Sequence, residues 1–419
     1  MGLLEHMAIP NSVGSRIDLM HWSLQFRKII VVRDDDPRPF DRAAFARMKR
    51  IVPMFLAGRR REAPTASAVP EEIAFKLTNQ CNLRCRHCYQ WSEFGHHRDL
   101  GRDEQRQHLP IRHVATVLEA TRDHRSNLYV WGGEPLMYRY WHEFIDLLAQ
   151  DRRWTSICTN GVFIERRLES LLRVSSRLEL DVAVDGLADE HDALRGEGSF
   201  ARTLRGIESV LDHRRSGRYH GEISVNCVVS DALVPRLEST VRFWQGMGID
   251  TLYLALPWFL SPTARAAMDR HVEDHSPWPV DDSRCGRPSW HAYAYQTDPR
   301  FAQRLIQQLR TINRKTWKLK IRYNPAVDED QLEDFLEGSG RPVGGRSRCL
   351  AILSRMDVLP NGDVVSCKFY PESVMGNLDQ QSVAEIWHGP RFGRLREVLH
   401  RRGLMPACAS CSLLYSRGA

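Results

Sequence analysis

The sequence of 419 residues holds no uninterrupted apolar run of about 18 residues, the least that a membrane-crossing helix needs, so a membrane span is not expected. Met1 to Pro10 has neither the basic start nor the long apolar stretch of a secretory signal, and secretion is not expected either. Block-like basic clusters are missing too: the 59 lysines and arginines, set against 52 acidic residues, are spread along the chain. The net charge of +7 therefore reads as a solvated surface with a mild pull on anionic substrates, and nucleic-acid binding is not expected. There is no low-complexity tract. What remains is an ordinary globular composition, 42% hydrophobic and 26% charged, in a chain long enough for two or three domains.

Cysteine is plentiful. The ten are Cys81, Cys85, Cys88, Cys158, Cys227, Cys285, Cys349, Cys367, Cys408 and Cys411. In a long chain without a secretory signal, cysteines in tight local groups point to metal or cluster binding in a reducing cytoplasm rather than to disulfides.

Residues 1–70 read as an extension of unknown role, with a strand over 28–32, an Asp-Asp-Asp-Pro-Arg-Pro break, a helix near 40–56 and a linker over 58–70. From residue 71 a rhythm begins. Apolar or β-branched runs at 72–77, 127–131, 155–159, 178–184, 222–229 and 251–256 predict strands. Amphipathic stretches at 113–125, 140–150, 163–174, 200–213 and 234–247 predict the helices between them. This alternation predicts an α/β fold, a partial (β/α)6 TIM-type barrel over residues 71–335, with a doubly wound sheet as the alternative. Residues 258–295 interrupt the rhythm and read as a long loop or insertion; a helix over 299–314 and a strand over 318–322 follow. The Gly- and Arg-rich stretch 337–348 marks a boundary and opens a small cysteine-bearing domain of hairpin and helix, residues 336–419.

The first cysteine group reads Cys81-Asn-Leu-Arg-Cys85-Arg-His-Cys88-Tyr89, directly after the first strand. A loop in that register can aim three sulfurs at three corners of one iron–sulfur cube. Three ligands for four irons leave one iron open, and an open coordination position is where metal chemistry happens. Zinc is the alternative, with His87 as a fourth ligand at poor geometry.

Further motifs fall at successive strand ends: Trp131-Gly132-Gly133-Glu134-Pro135, Thr159-Asn160-Gly161, Asp185-Gly186, then His191-Asp192 and Arg195-Gly196-Glu197-Gly198-Ser199-Phe200. Active sites of (β/α) barrels gather at those ends. Singly, each glycine pair or Asn-Gly is a turn. In this order behind the cysteine triad, they resemble the radical S-adenosylmethionine (SAM) superfamily. The resemblance implies a SAM-binding [4Fe-4S] cluster on Cys81, Cys85 and Cys88. It also implies reductive cleavage of SAM to a 5′-deoxyadenosyl radical, and hydrogen-atom abstraction from a substrate. Gly132, Gly133 and Glu134 match the motif that binds the SAM amino group, glycines allowing close backbone approach and Glu134 offering a carboxylate. Asp185 and Asn226 are candidates for ribose or carboxylate contacts, and Tyr89 for the adenine side. Many relatives have Ser where this chain has Val184.

The second cysteine group spans Cys349, Cys367 and Cys408-Ala-Ser-Cys411. Asn361-Gly362 between β-type runs predicts a tight hairpin that brings Cys349 and Cys367 together. The segment resembles the SPASM/Twitch extension of radical SAM enzymes. Four cysteines, where two clusters would need eight, imply one auxiliary [4Fe-4S] cluster that is fully ligated and carries electrons. A four-cysteine structural zinc site is the alternative.

Cys158 and Cys227 lie in predicted strands and read as small core residues. Cys285, in the loop after the sixth strand, is a candidate hydrogen-atom donor; Asp281, Asp282 and His291 are candidate bases. His96 and His97 read as solvated groups or neighbours of the cluster loop. The expected function is oxidative modification of a ribosomally made peptide by a radical SAM oxidoreductase or maturase. It would be served by an electron donor such as flavodoxin or ferredoxin. The alternatives are a dehydrogenase or epimerase of a sugar- or aminocyclitol-type small molecule and, more distantly, a non-catalytic zinc- or cluster-binding protein.

Overall fold

The computed structural model describes residues 65–275 and 287–418, together with helical Lys49, Val52 and Leu56. The chain divides into two units, Met1–Met54 and Phe55–Ala419. The strand expected over 28–32 and nearly all of the first helix lie outside the described residues, as do Asp281, Asp282 and Cys285.

The apolar runs become β1 (Glu72–Lys76), β2 (Asn127–Trp131), β3 (Thr155–Thr159), β4 (Leu178–Ala183), β5 (Glu222–Val228) and β6 (Thr251–Ala255). A further strand, β7 (Lys320–Asn324), begins two residues later than its sequence signal. All seven are parallel and neighbour one another in chain order. A doubly wound sheet would reverse its order at a switch point, so this progression is that of a partial barrel.

Helices α1 (Ile111–Ala120), α2 (Trp141–Asp151), α3 (Ile164–Val174), α4 (Ala188–Arg195), α5 (Ser199–Arg215) and α6 (Leu237–Met247) fill the crossovers. In α2, Trp141, Phe144, Ile145 and Leu148 recur on one face and are all buried. Each such side chain contributes about 1.5–3 kcal/mol on burial, so packing rather than intrinsic propensity holds the helix. The helix ends where Arg152 turns left-handed; α6 ends on Gly248 at φ 82°, a conformation that glycine adopts without strain.

One expectation is corrected. The stretch 258–295 is not only loop, because Pro262–His275 is a helix, α7. Its buried stripe is thin, with Ala264 and Met268 one turn apart, and Pro, Asp and His around it obscure the period. Helix α8 (Ala302–Asn313) precedes β7.

The C-terminal segment folds onto the same sheet. The hairpin expected at Asn361-Gly362 joins β8 (Arg355–Val358) to β9 (Asp363–Val365), with Gly362 at φ 83°. A third strand, β10 (Val374–Asn377), pairs antiparallel with β9. β8 pairs parallel with β1, Glu72 opposite Arg355 and Ala74 opposite Asp357. The result is one sheet in the order β10-β9-β8-β1-β2-β3-β4-β5-β6-β7.

Side chains alternate across this sheet. Leu178, Leu180 and Val182 of β4 and Ile223, Val225 and Cys227 of β5 form the buried apolar face. The opposite face is polar. There, Ser224 donates to Glu179 at 2.9 Å and Asn226 to Asp181 at 3.4 Å. This polar face lines the concave side of the barrel. No helix among the described residues is long and apolar enough to cross a membrane.

Candidate functional site

The loop after β1 carries Cys81, Cys85 and Cys88 over the C-terminal strand ends. Polar hydrogens surround the sulfurs. The Leu83 and Trp91 amides donate to Cys81 and Cys88 at 3.5 and 3.4 Å. Asn160 Nδ2 lies 3.9 Å from the Cys81 sulfur and an Arg195 nitrogen 4.0 Å from that of Cys85. Burial pushes the Cys81 and Cys85 thiols up to about 12, against the opposing pull of Arg195 at Cys85, and raises Cys88 as well. Three thiols that resist ionising alone, held within reach of one another's charge, are a donor set that a cationic cluster completes. The residues fit the group.

The glycines have a task within the protein itself. A Cβ on Gly132 would stand 2.6 Å from the Thr78 carbonyl oxygen, and one on Gly133 only 2.0 Å from that of Gln80. The end of β2 thus runs against the start of the cysteine loop, with the Gly133 and Glu134 amides donating to Thr78 and Gln80 at 2.8 and 2.7 Å. Close backbone approach is required between two parts of the protein.

Glu134 is likewise engaged from within. Its carboxylate is 0% exposed and accepts from the Leu136 amide at 2.9 Å, the Thr159 hydroxyl at 2.6 Å and the Asn160 amide at 2.8 Å. Burial raises its pKa, opposed by these donors. The structure thus gives this carboxylate three donors of the protein itself. Asn160, whose role the sequence did not reveal, relays the tie, donating to Asn82 at 2.8 Å within the cysteine loop.

Asp185 lies in a charged knot. It is 0% exposed and accepts from Arg195 Nε at 2.5 Å and the Val228 amide at 2.9 Å, with His87 Nε2 at 3.5 Å. Burial alone would raise its carboxyl, yet Arg195 and His87 hold it down at about 2. Burial pushes His87 down to about 4. His87 is therefore turned to Asp185 rather than standing as a fourth zinc ligand. The His-Asp-x2-Arg-Gly-x-Gly-Ser-Phe string is the knot's scaffold. His191 Nδ1 accepts from the Asp185 amide at 3.2 Å, and Asp192 accepts from Gly198 and Phe200 amides, both at 2.8 Å, at the start of α5. Arg195 was visible in that string, but its partner was not.

Tyr89 is half-buried in an aromatic wall. Its ring centroid lies 4.9 Å from that of Tyr293, and Trp258 lies 3.8 Å from both Tyr293 and Phe369. Tyr293 donates to the Phe369 carbonyl at 3.0 Å, joining this wall to the C-terminal segment. Asn226 faces the polar lumen. His96 and His97, read as solvated groups or neighbours of the loop, are buried beneath it, and His97 Nε2 lies 2.7 Å from Lys76 Nζ. His291 pairs with Asp269 at 2.8 Å. Cys227 is a core residue as expected. Cys158 is on the lumen side instead, hydrogen-bonded to Tyr129 and raised to about 12 by burial and then by Asp181. Cys285 lies outside the described residues.

Cys349, Cys367, Cys408 and Cys411 come together beside β8. Burial raises every one of these thiols, Cys367 to about 12, with Cys408 also feeling Cys349 and Cys367, and Cys411 feeling the other three. Four gathered sulfurs, that of Cys411 in a buried residue and the others in partly buried ones, fit a fully ligated cluster. Among the described residues no three His, Cys, Asp or Glu side chains are arranged to hold a single ion; sulfurs around a four-iron cube stand farther apart than those around one zinc. The segment is tied to β1 by Arg355, which donates to Asp357 twice at 2.9 Å and also to Glu72, and by Arg417, which donates to Glu72. Burial alone would raise the Glu72 carboxyl, but these two arginines hold it at about 2.

Residues 75–229 match the family model of the radical SAM superfamily, and residues 349–412 that of the SPASM iron–sulfur cluster-binding domain. The mycofactocin maturase MftC of Mycobacterium ulcerans (strain Agy99) is 31% identical over 139 residues, 33% of this chain and 36% of the relative. The match thus spans about a third of that maturase. The AdoMet-dependent heme synthase of Methanosarcina barkeri (strain Fusaro / DSM 804) is 26% identical over 345 residues, 81% of this chain and 88% of the relative. Among solved structures, Streptococcus suis SuiB bound to S-adenosylmethionine superposes with a TM-score of 0.54 at 14% identity, covering 95% of this chain and 81% of SuiB. That likeness establishes the fold.

Proposed function

We propose, for a chain that belongs to the radical SAM superfamily and carries a C-terminal SPASM iron–sulfur domain, the oxidative modification of a ribosomally made peptide. The observation that carries the reading is the placement of the two cysteine sets. An open three-thiol loop and a closed four-thiol site stand on one sheet and share one polar lumen. The maturase relative supports a peptide as the substrate.

In this reading Cys81, Cys85 and Cys88 hold the SAM-ligating [4Fe-4S] cluster, and Cys349, Cys367, Cys408 and Cys411 the auxiliary one. Tyr89, Gly132, Gly133, Glu134, Asp185 and Asn226 border the SAM site. When bound, the first cluster and SAM supply the one-electron chemistry that opens an unactivated C–H bond. The protein does the rest. Glu134 and Asn160 lock the cysteine loop to the ends of β2 and β3, and Asp185 holds Arg195 against Cys85. The wall of Tyr89, Tyr293, Trp258 and Phe369 excludes water between the two cysteine sets. A flavodoxin or ferredoxin supplies electrons.

The test is mass spectrometry of short peptides encoded beside the gene, incubated anaerobically with reconstituted protein, SAM and dithionite. A SAM-dependent loss of hydrogen from one such peptide is the expected result. A second reading, a tetrapyrrole substrate, is favoured by the heme synthase relative, whose alignment extends over 88% of its length. Conversion of an iron porphyrin, with every peptide unchanged, would replace the first reading by the second.

A further inference from the structure

Two side chains besides the cysteines hold the first cysteine loop in shape. Trp91, three residues beyond Cys88, is only 6% exposed. Its indole N–H donates to the Asn79 carbonyl at 2.8 Å, a buried bond that reaches back twelve residues to the segment entering the loop. Its backbone amide donates to the Cys88 sulfur at 3.4 Å. One residue thus ties the entry of the loop to the last of its three sulfurs. The indole also meets the His97 ring edge to face, with centroids 5.2 Å apart, and His97 Nε2 lies 2.7 Å from Lys76 Nζ at the end of β1. The brace is therefore rooted in the sheet.

Arg84 closes the middle of the loop. Its guanidinium carbon lies 4.2 Å from the centre of the Trp91 ring, and one of its nitrogens donates to the Cys81 carbonyl at 2.7 Å and to the Leu83 carbonyl at 2.8 Å. A planar guanidinium donates in its plane and stacks through its face at the same time. Arg84 is exposed and has no ion pair among the described residues, so the two carbonyls and the ring are what hold it. Arg86 is the comparison within the same loop. It stands on the other side of Cys85 and is also exposed, yet its side chain makes no hydrogen bond, ion pair or ring contact among the described residues. Holding a long side chain still costs rotamer freedom, and of these two only Arg84 has contacts that offset the loss.

We infer that Arg84 and Trp91 are positioning residues. They hold Cys81, Cys85 and Cys88 in ligating shape from within the protein, and so decide how firmly the first cluster is kept and at what potential it works. This rests on the proposed function, which gives those thiols a cluster, and deepens it. Two physical links carry the effect. A loop ordered in advance loses less freedom when its thiolates ligate, so iron leaves it less readily. An N–H aimed at a ligating sulfur favours the reduced, more negative cluster, so loosening the Trp91 amide from Cys88 lowers the potential.

The experiment uses the anaerobically reconstituted full chain and two readouts: release of iron to a chelator, and reduction potential from a titration followed by electron paramagnetic resonance. Cys85→Ala, which keeps only the auxiliary iron, marks the release and the signal of the second set. Arg84→Ala should release the first set, about four of about eight irons, about tenfold faster than wild type. Because Arg84 is exposed, this variant leaves the core packed. Its auxiliary iron should leave at the wild-type rate, and the potential of its first cluster should fall. Trp91→Phe keeps a ring beneath Arg84 but strands the Asn79 carbonyl, and it should release the first set faster too. Arg86→Ala removes an equal charge from the same loop and should stay within about twofold of wild type, with a smaller change in potential. Wild-type release in either Arg84→Ala or Trp91→Phe would overturn the inference. So would equal release and equal potential in Arg84→Ala and Arg86→Ala, since charge alone would then account for both. Loss of both iron sets together in Arg84→Ala would overturn it as well, because the loosening would then be general. Absence of 5′-deoxyadenosine from wild type carrying both iron sets would instead sink the proposed function and leave the iron-release comparison standing.

Discussion

Replacing Asp185 by Asn would break the charged knot beneath the first cysteine loop. The carboxyl is held at about 2, against an ordinary 3.8, although burial opposes this. That difference corresponds to about 2 kcal/mol of native-state preference for the ionised form. Because the native value lies below the unfolded one, this stability is fully present above about pH 4 and is lost as pH falls towards 2. Asparagine keeps the shape but withdraws the charge from buried Arg195 and sets an amide N–H2 against a donor. A buried charge stripped of its partner costs about 3–5 kcal/mol, more than the linkage figure, so the stranded guanidinium dominates. Urea unfolding of the full-length chain, kept anaerobic and followed by circular dichroism, should show a loss of about 3 kcal/mol or more for Asp185→Asn at pH 7. The deficit should be the same at pH 5, where the wild-type carboxyl is still ionised. Adding Arg195→Met removes the stranded charge, and the double variant should regain about half of the loss. A single variant within about 0.5 kcal/mol of wild type, or losses that add in the double variant, would refute the reasoning.

Gly133→Ala forces a methyl group against the Gln80 carbonyl, 2.0 Å away, and should cost the first cluster while sparing the second; iron per chain should fall by about half. Cys408→Ala removes one of four auxiliary ligands and should lower iron from about eight to about four per chain, with SAM cleavage retained. Asn160→Ala cuts the contacts to Cys81 and Asn82 and should slow SAM cleavage about tenfold at unchanged iron content. Iron analysis and a 5′-deoxyadenosine assay check all three.

The strands of the barrel could be read from the sequence because each is a short apolar run whose period is local. β1 to β6 begin where expected and end within one residue of it. The cysteine loop was equally legible, since its spacing lies within eight residues. What could not be read depends on long-range pairing. β8 lies beside β1 across 283 residues, and only that pairing brings Arg355 to Glu72. Cys158 looked like core because a strand pattern gives alternation but not which face is polar; Asp181 opposite it settles the face. The motif of Glu134 was legible, but its internal donors were not: two of the three, Thr159 and Asn160, come from a different strand end. Helix α7 was missed because two buried residues make too thin a stripe.

The central claim is that the three-thiol loop supports SAM cleavage. It is tested most directly by quantifying 5′-deoxyadenosine from reconstituted wild type and Cys85→Ala, each given SAM and dithionite, with iron measured on the same samples. The account predicts 5′-deoxyadenosine from wild type and none from Cys85→Ala, which keeps its auxiliary iron. Equal product from the variant, or none from iron-loaded wild type, would contradict it.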